Sequence, residues 1–140
     1  MRLQDVLRFL LEEARNEFAN ALEGLRPEHL VATPVAGQNP IGWIVCHCMG
    51  NAQRFLLDPH GGPDAMGALP RGGEYAAYVS RPPGANNPPP DLSTAIAELD
   101  AVLAAGIARI AALGEEDLSR PGPHWSRPEA ETAAENCLRV

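Results

Sequence analysis

The sequence predicts an all-α protein, an up-and-down four-helix bundle whose fourth helix is short. Three segments repeat apolar residues at spacings of three and four, with charged or small residues between them. Glycine or proline follows each of these segments, and no segment shows the alternation that is typical of a β-strand. We expect one domain over residues 1–140, because a chain of this length can bury a core of its own.

The first helix is predicted over residues 3–23. Its apolar stripe consists of Leu3, Leu7, Leu10, Ala14, Phe18, Ala21 and Leu22. Gly24 follows, and glycine is a common helix stop because it adopts the left-handed conformation without strain. Residues 25–38 form a connector with several helix breakers, in which residues 27–30 are expected to make a single helical turn.

The second helix is predicted over residues 40–57 and is the most hydrophobic of the chain. Asn39 is expected to cap its free N–H groups, and Pro40 suits the first helical position. At helical periodicity, one arc of the helix is apolar and is expected to face the core. This arc comprises Ile41, Ile44, Val45, Cys48, Ala52, Phe55 and Leu56.

The segment from residue 58 to residue 90 is rich in proline and glycine and is unusually long for a connection, at about 30 residues. A short helical turn is expected near residues 74–79. The third helix is predicted over residues 92–113, with Asp91 as its cap and Gly114 as its stop. The fourth helix is predicted to begin near Pro128 and to continue to Val140, which makes it much shorter than the others.

Charge and hydropathy exclude several classes of partner. The formal net charge is −7, which argues against binding to nucleic acid or to anionic lipid. No apolar run approaches the roughly 18 residues of a membrane span. Acidic residues occur throughout the N-terminal segment, unlike a secretory signal, and we therefore expect a cytoplasmic protein.

The residues that could bind a metal are few and scattered. The chain has three cysteines, Cys46, Cys48 and Cys137, and an odd number argues against a disulfide framework. We interpret them as structural thiols. Of the four histidines, only His47 lies in a predicted helix, and it has no second histidine three or four residues away. Two interpretations of His47 remain open. It reaches into a cavity of the bundle, or it is a boundary residue with one ring nitrogen bonded to water or backbone.

The segment NPIGWIVCHCMGNAQRFL resembles the second helix of DinB-like proteins, a family of four-helix bundles. The residues that match the family's pattern are Asn39, Ile41, Gly42, Trp43 and His47. The connector before this segment and the predicted third helix also agree in layout, so the resemblance covers nearly the whole chain. It implies a divalent metal, Zn or Ni, bound by three histidines, of which His47 matches the one on the second helix.

The other two histidines of the family pattern come from the fourth helix, as H-x-x-x-H. Here the fourth helix reads ETAAENCLRV, and the sequence ends about one turn before the first of them, so the resemblance is to a C-terminally truncated member. The metal site would then be incomplete, because a catalytic zinc needs about three protein ligands.

Two functional hypotheses follow from the resemblance. The first is a metal-dependent thiol transferase or hydrolase, in which His124, His60 or a second subunit supplies further ligands. Its thiol substrate would be of the bacillithiol or mycothiol type. The composition, without lysine and rich in Ala, Gly, Pro and Arg, is typical of proteins from GC-rich genomes and favours mycothiol. The second is a non-catalytic bundle that acts as a dimeric or binding module.

Two structural expectations accompany these hypotheses. A short fourth helix leaves an apolar groove, so we expect a homodimer in which the second chain covers it. His47 is expected to face the bundle interior and to bind metal poorly. There it would be bonded to His124 or to water, since Asn51 is too nearly parallel to serve alone.

Overall fold

The computed structural model describes residues 2–33, 35–57, 71–81, 87–122, 131, 132 and 135. Its helices are α1 (Leu3–Leu22), α2 (Ile41–Ala52), α3 (Gly72–Val79), α4 (Leu92–Ala112) and α5 (Glu115–Ser119). A 3-10 turn spans Pro27–Val31, and a π-helical turn, Gln53–Leu57, prolongs α2. Strands β1 (Pro121–Gly122) and β2 (Glu131–Thr132) pair antiparallel. The all-α class is confirmed. Helices α1 and α4 begin and end within one residue of the predicted bounds, and α2 does so when the π-helical turn is counted with it.

The helix ends follow the expected capping chemistry with one exception. The carboxylate of Asp91 accepts a hydrogen bond from the Thr94 N–H at 2.8 Å, as predicted for the start of α4. Gly24 follows α1 with φ at +73°, the left-handed conformation that favours glycine. Asn39 is not the cap of α2, because the helix begins at Ile41 and Pro40 occupies the N-cap position without a side-chain bond.

Helix α4 is central and packs against both α1 and α2. The guanidinium of Arg15 donates two hydrogen bonds to the Asp100 carboxylate, at 2.6 and 2.8 Å, which ties the middle of α1 to α4. Helices α1 and α4 are antiparallel, and near the start of α1 the Gln4 amide donates to the carbonyls of Ile110 and Leu113 at the end of α4. It thereby satisfies carbonyls that the end of α4 leaves without helical partners. The core between these helices includes Leu7, Leu11, Val45, Met49, Leu56, Leu99, Leu103 and Ile110.

The buried face of α2 differs from the predicted one. The buried residues of this helix are Gly42, Val45, Cys46, Met49, Gly50 and Ala52. Ile44, predicted to be a core residue, keeps 43% of its surface exposed. The buried face is therefore rotated by roughly 80° about the helix axis. The cause is α3, which packs on α2 and brings the buried rings of Tyr75 and Tyr78 against it.

The predicted fourth helix from near Pro128 is wrong at residues 131 and 132, while Pro128 itself and residues 136–140 lie outside the described residues. Glu131 and Thr132 are extended and pair with Pro121 and Gly122, and helix is found at Glu135. The Glu135 carboxylate accepts from the Thr132 N–H at 2.7 Å, and the Glu135 N–H donates to the Thr132 hydroxyl at 3.2 Å. These reciprocal bonds form a capping box. The T-x-x-E pattern of Thr132 and Glu135 specifies such a box, and it was the signal in the sequence that the helix does not include Glu131 and Thr132.

No helix in the described ranges is long and apolar enough to cross a membrane.

Candidate functional site

The matched segment of α2 places Trp43, His47 and Asn51 in a row along one face, because a spacing of four residues is close to one helical turn. The ring centroids of Trp43 and His47 are 4.6 Å apart and their planes differ by 15°, so the two rings are stacked. His47 is exposed, while Trp43 is half-buried. The imidazole therefore has one face covered by the indole and remains accessible to solvent.

Asn51 fixes the other side of the His47 ring. Its Nδ2 lies 3.2 Å from His47 Nε2, and the amide donates when Nε2 carries the lone pair. In that tautomer Nδ1 bears the hydrogen, whereas a ligand at Nε2 requires the amide to turn away. From the sequence, Asn51 is expected to be too nearly parallel to serve alone as the partner of His47, whereas the structure bonds its amide to the ring. His124, the predicted partner, lies outside the described residues.

The electrostatic surroundings favour a neutral His47. Partial desolvation of the ring lowers its pKa, and the positive charge of Arg54, two turns along the same helix, lowers it further. An imidazole whose pKa lies below its ordinary value is mostly unprotonated at neutral pH. His47 therefore offers a lone pair, which is the form that binds a divalent metal.

His47 does not face the bundle interior, which corrects the expectation from the sequence. It lies on the opposite side of α2 from the buried Met49. The rotation that brings Cys46 and Gly42 under α3 also turns His47 outward. The prediction failed because the apolar arc alone gave no sign that a helix in the long connection covers one flank of α2.

The other described metal-ligand types do not gather around His47. His29 lies in the Pro27–Val31 turn and accepts a hydrogen bond from the Arg26 N–H at 3.2 Å. Cys46 is fully buried, and burial raises its pKa to about 12. Burial also raises the pKa of the Cys48 thiol. These surroundings agree with the prediction of structural thiols for this pair.

No group of three histidine, cysteine or acidic side chains that could hold a metal occurs in the part of the chain that the structure describes. His60, His124 and Cys137 are outside that part. At this site the described residues thus provide the single imidazole of His47, and they do not by themselves fit a three-ligand metal centre.

Sequence reasoning missed the connection of this site to α3. The indole N–H of Trp43 donates to the carbonyl of Val79 at 2.8 Å, so the last residue of α3 contacts the ring that stacks on His47. The only signal in the sequence was the short helical stretch expected near residues 74–79.

The comparisons with known proteins bear on the whole chain. Neither a search of curated proteins nor a search of solved structures gave a match. A family model described as the DinB superfamily matches residues 10–140. This span includes α2, α3 and α4 and the residues around His47. The chain therefore belongs to the DinB superfamily.

Proposed function

We propose that this DinB-superfamily domain binds a divalent metal, Zn or Ni, with His47 as one ligand. The observation that supports the proposal is the state of the His47 ring. It is solvent-accessible, its pKa is lowered, and Trp43 is stacked on one face of it. A ligand that is neutral and already oriented loses little conformational freedom when it binds.

The remaining ligands in this proposal come from outside the described residues, with His60 and His124 as candidates, or from a second subunit. A bound metal would lower the pKa of a thiol or of water and so generate a nucleophile. The proposed activity is accordingly that of a cytoplasmic thiol transferase, using a small thiol of the mycothiol or bacillithiol type, or of a hydrolase.

The experiment that tests this proposal is metal analysis of protein purified without chelators. In contrast to the poor metal binding expected from the sequence, this proposal predicts close to one Zn or Ni per chain, lost in His47→Ala and retained in His29→Ala. The His29 variant is the matched control because that ring lies in a different element, bonded to Arg26. Stoichiometric metal that persists in His47→Ala, or purified protein that neither contains nor takes up either metal, would contradict the proposal.

A second candidate is a non-catalytic module that acts as a homodimer, and one specific feature favours it. A groove of about 240 Å³ lies between α1 and α2. It is lined by Phe18, Ala21, Leu22, Leu25, Ile41, Ile44, Val45 and Cys48. A second copy of the chain that covered this apolar groove would remove Ile44 from water.

A further inference from the structure

Helix α3 is fastened to the bundle by hydrogen bonds from three separate segments. Its buried Tyr75 hydroxyl donates to the Glu98 carboxylate of α4 at 2.6 Å. The Asn87 amide donates to the carbonyl of Tyr78 at 3.0 Å. The Trp43 indole of α2 donates to the carbonyl of Val79 at 2.8 Å. The bonds to Glu98 and Trp43 join α3 to residues 23 and 36 positions away, and the bond from Asn87 ties its end to the following segment, so together they set where α3 lies.

The Trp43 ring takes part in two contacts at once. Its N–H is held by Val79, and its face is stacked on His47. A tryptophan with one edge bonded has little freedom to change its side-chain torsions without breaking that bond. The position of the indole is thus determined from outside α2, whereas Asn51, the other neighbour of His47, is on the same helix.

We propose that Trp43 is a positioning residue for His47 and that α3, through the Val79 carbonyl, holds Trp43 in place. The docked α3 keeps the indole against the imidazole, and this stacking fixes the plane of the His47 ring. Release of α3 frees the indole, and the ring of His47 then samples other orientations. The segment 72–79, which makes no hydrogen bond to His47 among the described residues, thereby controls how His47 is presented to a ligand.

This arrangement has a consequence for binding, which rests on the proposed function. A metal that prefers the stacked orientation of His47 stabilises the docked state of α3, and docking of α3 raises the affinity for that metal by the same factor. The positioning of His47 itself needs no metal and is testable on the metal-free protein. Failure of metal binding and failure of the positioning are therefore separate results.

Cys46 provides a measure of whether α3 is docked. The thiol is fully buried in the same cluster as Tyr75 and Tyr78, and the charges of Glu74 and Arg71 act on it. Alkylation of Cys46 in the native protein requires that this cover opens. The alkylation rate consequently reports the opening of α3, independently of any measurement on His47.

The experiment uses the full chain, labelled with ¹³C-histidine, without metal and at one fixed pH. The ring resonances of His47, assigned with His47→Gln, should be shifted upfield by the Trp43 ring current. Trp43→Phe retains an aromatic ring but removes the donor to Val79. Tyr75→Phe removes the bond to Glu98 and leaves Trp43 intact. Tyr78→Phe is the matched control, because the Tyr78 hydroxyl makes no hydrogen bond among the described residues.

We expect the His47 upfield shift to be reduced in Trp43→Phe and also in Tyr75→Phe, although Tyr75 is bonded to α4 and not to His47. Cys46 alkylation in Tyr75→Phe should accelerate by about tenfold to a hundredfold, the factor that corresponds to loss of one hydrogen bond to a charged group. Tyr78→Phe should change both readouts much less.

Two results would overturn the proposal. Faster alkylation of Cys46 in Tyr75→Phe with an unchanged His47 resonance would show that α3 opens without affecting the imidazole. A His47 upfield shift in Trp43→Phe that falls only as far as the weaker ring current of a phenyl group in the same position requires would show that the bond to Val79 has no role in placing the ring.

Discussion

Gly106 of α4 lies so close to Leu56 that a Cβ atom at position 106 would be 2.6 Å from the Leu56 Cβ. Glycine therefore permits the close contact between α4 and the end of α2. The conflict involves the first atom of the Leu56 side chain, which cannot move aside without a shift of backbone. Absence of a side chain is here a packing requirement, since glycine in the middle of a helix is otherwise unfavourable.

We predict that Gly106→Ala destabilises the protein by about 1–2 kcal/mol, because overpacking exceeds the gain in helix propensity. The measurement is the free energy of unfolding in urea. Gly73→Ala is the control, since an added Cβ there has no heavy atom within 4 Å. Equal stability of the two variants would show that the helices separate at little cost.

The hydrogen bond between Tyr75 and Glu98 should contribute measurably to stability. Tyr75 is fully buried, and its pKa is raised by burial and by the bond to the Glu98 carboxylate. We predict that Tyr75→Phe lowers the free energy of unfolding by about 1.5–3 kcal/mol, the range for bonds to charged groups. Tyr78→Phe should cost less. If Tyr75→Phe left the free energy of unfolding unchanged, water would have to replace the phenol hydroxyl at Glu98.

Asp91 should give α4 a stability that depends on pH. The hydrogen bond from Thr94 is the largest cause that lowers the Asp91 pKa, from 3.8 to about 2. A lowered pKa in the folded state means that the ionised cap stabilises the protein above the unfolded value. That contribution is lost as the pH falls from about 4 to about 2.

Asp91→Asn keeps an acceptor at the cap but does not ionise. We therefore predict that the wild type has a higher melting temperature than Asp91→Asn at neutral pH and that the difference shrinks between about pH 4 and pH 2. This difference in melting temperature is measured by thermal unfolding monitored with circular dichroism. A difference that is constant with pH would rule out the carboxylate as its source.

The two neighbouring thiols of α2 should differ in reactivity. Cys46 is fully buried with its pKa raised to about 12, whereas Cys48 is partly exposed. Because the thiolate is the reactive form, we predict that iodoacetamide at mildly alkaline pH modifies Cys48 first and Cys46 only slowly. Fragment-ion mass spectrometry assigns the two positions. Similar rates at both, in folded protein, would contradict the packing of α3 over Cys46.

The proposed homodimer predicts a role for Ile44. If a second copy covers the groove between α1 and α2, Ile44→Glu should convert a dimer into a monomer at micromolar concentration, as measured by light scattering. Phe9→Glu is the control, since Phe9 is 58% exposed and is not part of that groove. A wild type that is already monomeric would count against the dimer.

The sequence was sufficient for the three long helices and for the family. The apolar periodicity of α1, α2 and α4 and the caps at Asp91 and Gly24 depend on neighbours within one helical turn, so local information specified them. The same holds for the match around Trp43 and His47. Metal binding and the source of further ligands remain predictions that the sequence suggests.

Only the tertiary structure decided which side of α2 is buried. From the sequence, either of two sides of α2 could be the buried one, and the more apolar side, which carries Ile41 and Ile44, was the one predicted. Packing of α3 selected the other, where a Cβ atom at Gly42 would lie 3.1 Å from the Tyr78 hydroxyl and where Cys46 is buried. The direction of His47 and the bond from Trp43 to Val79 follow from that choice. They depend on a contact between segments 36 residues apart, which periodicity within one helix does not specify.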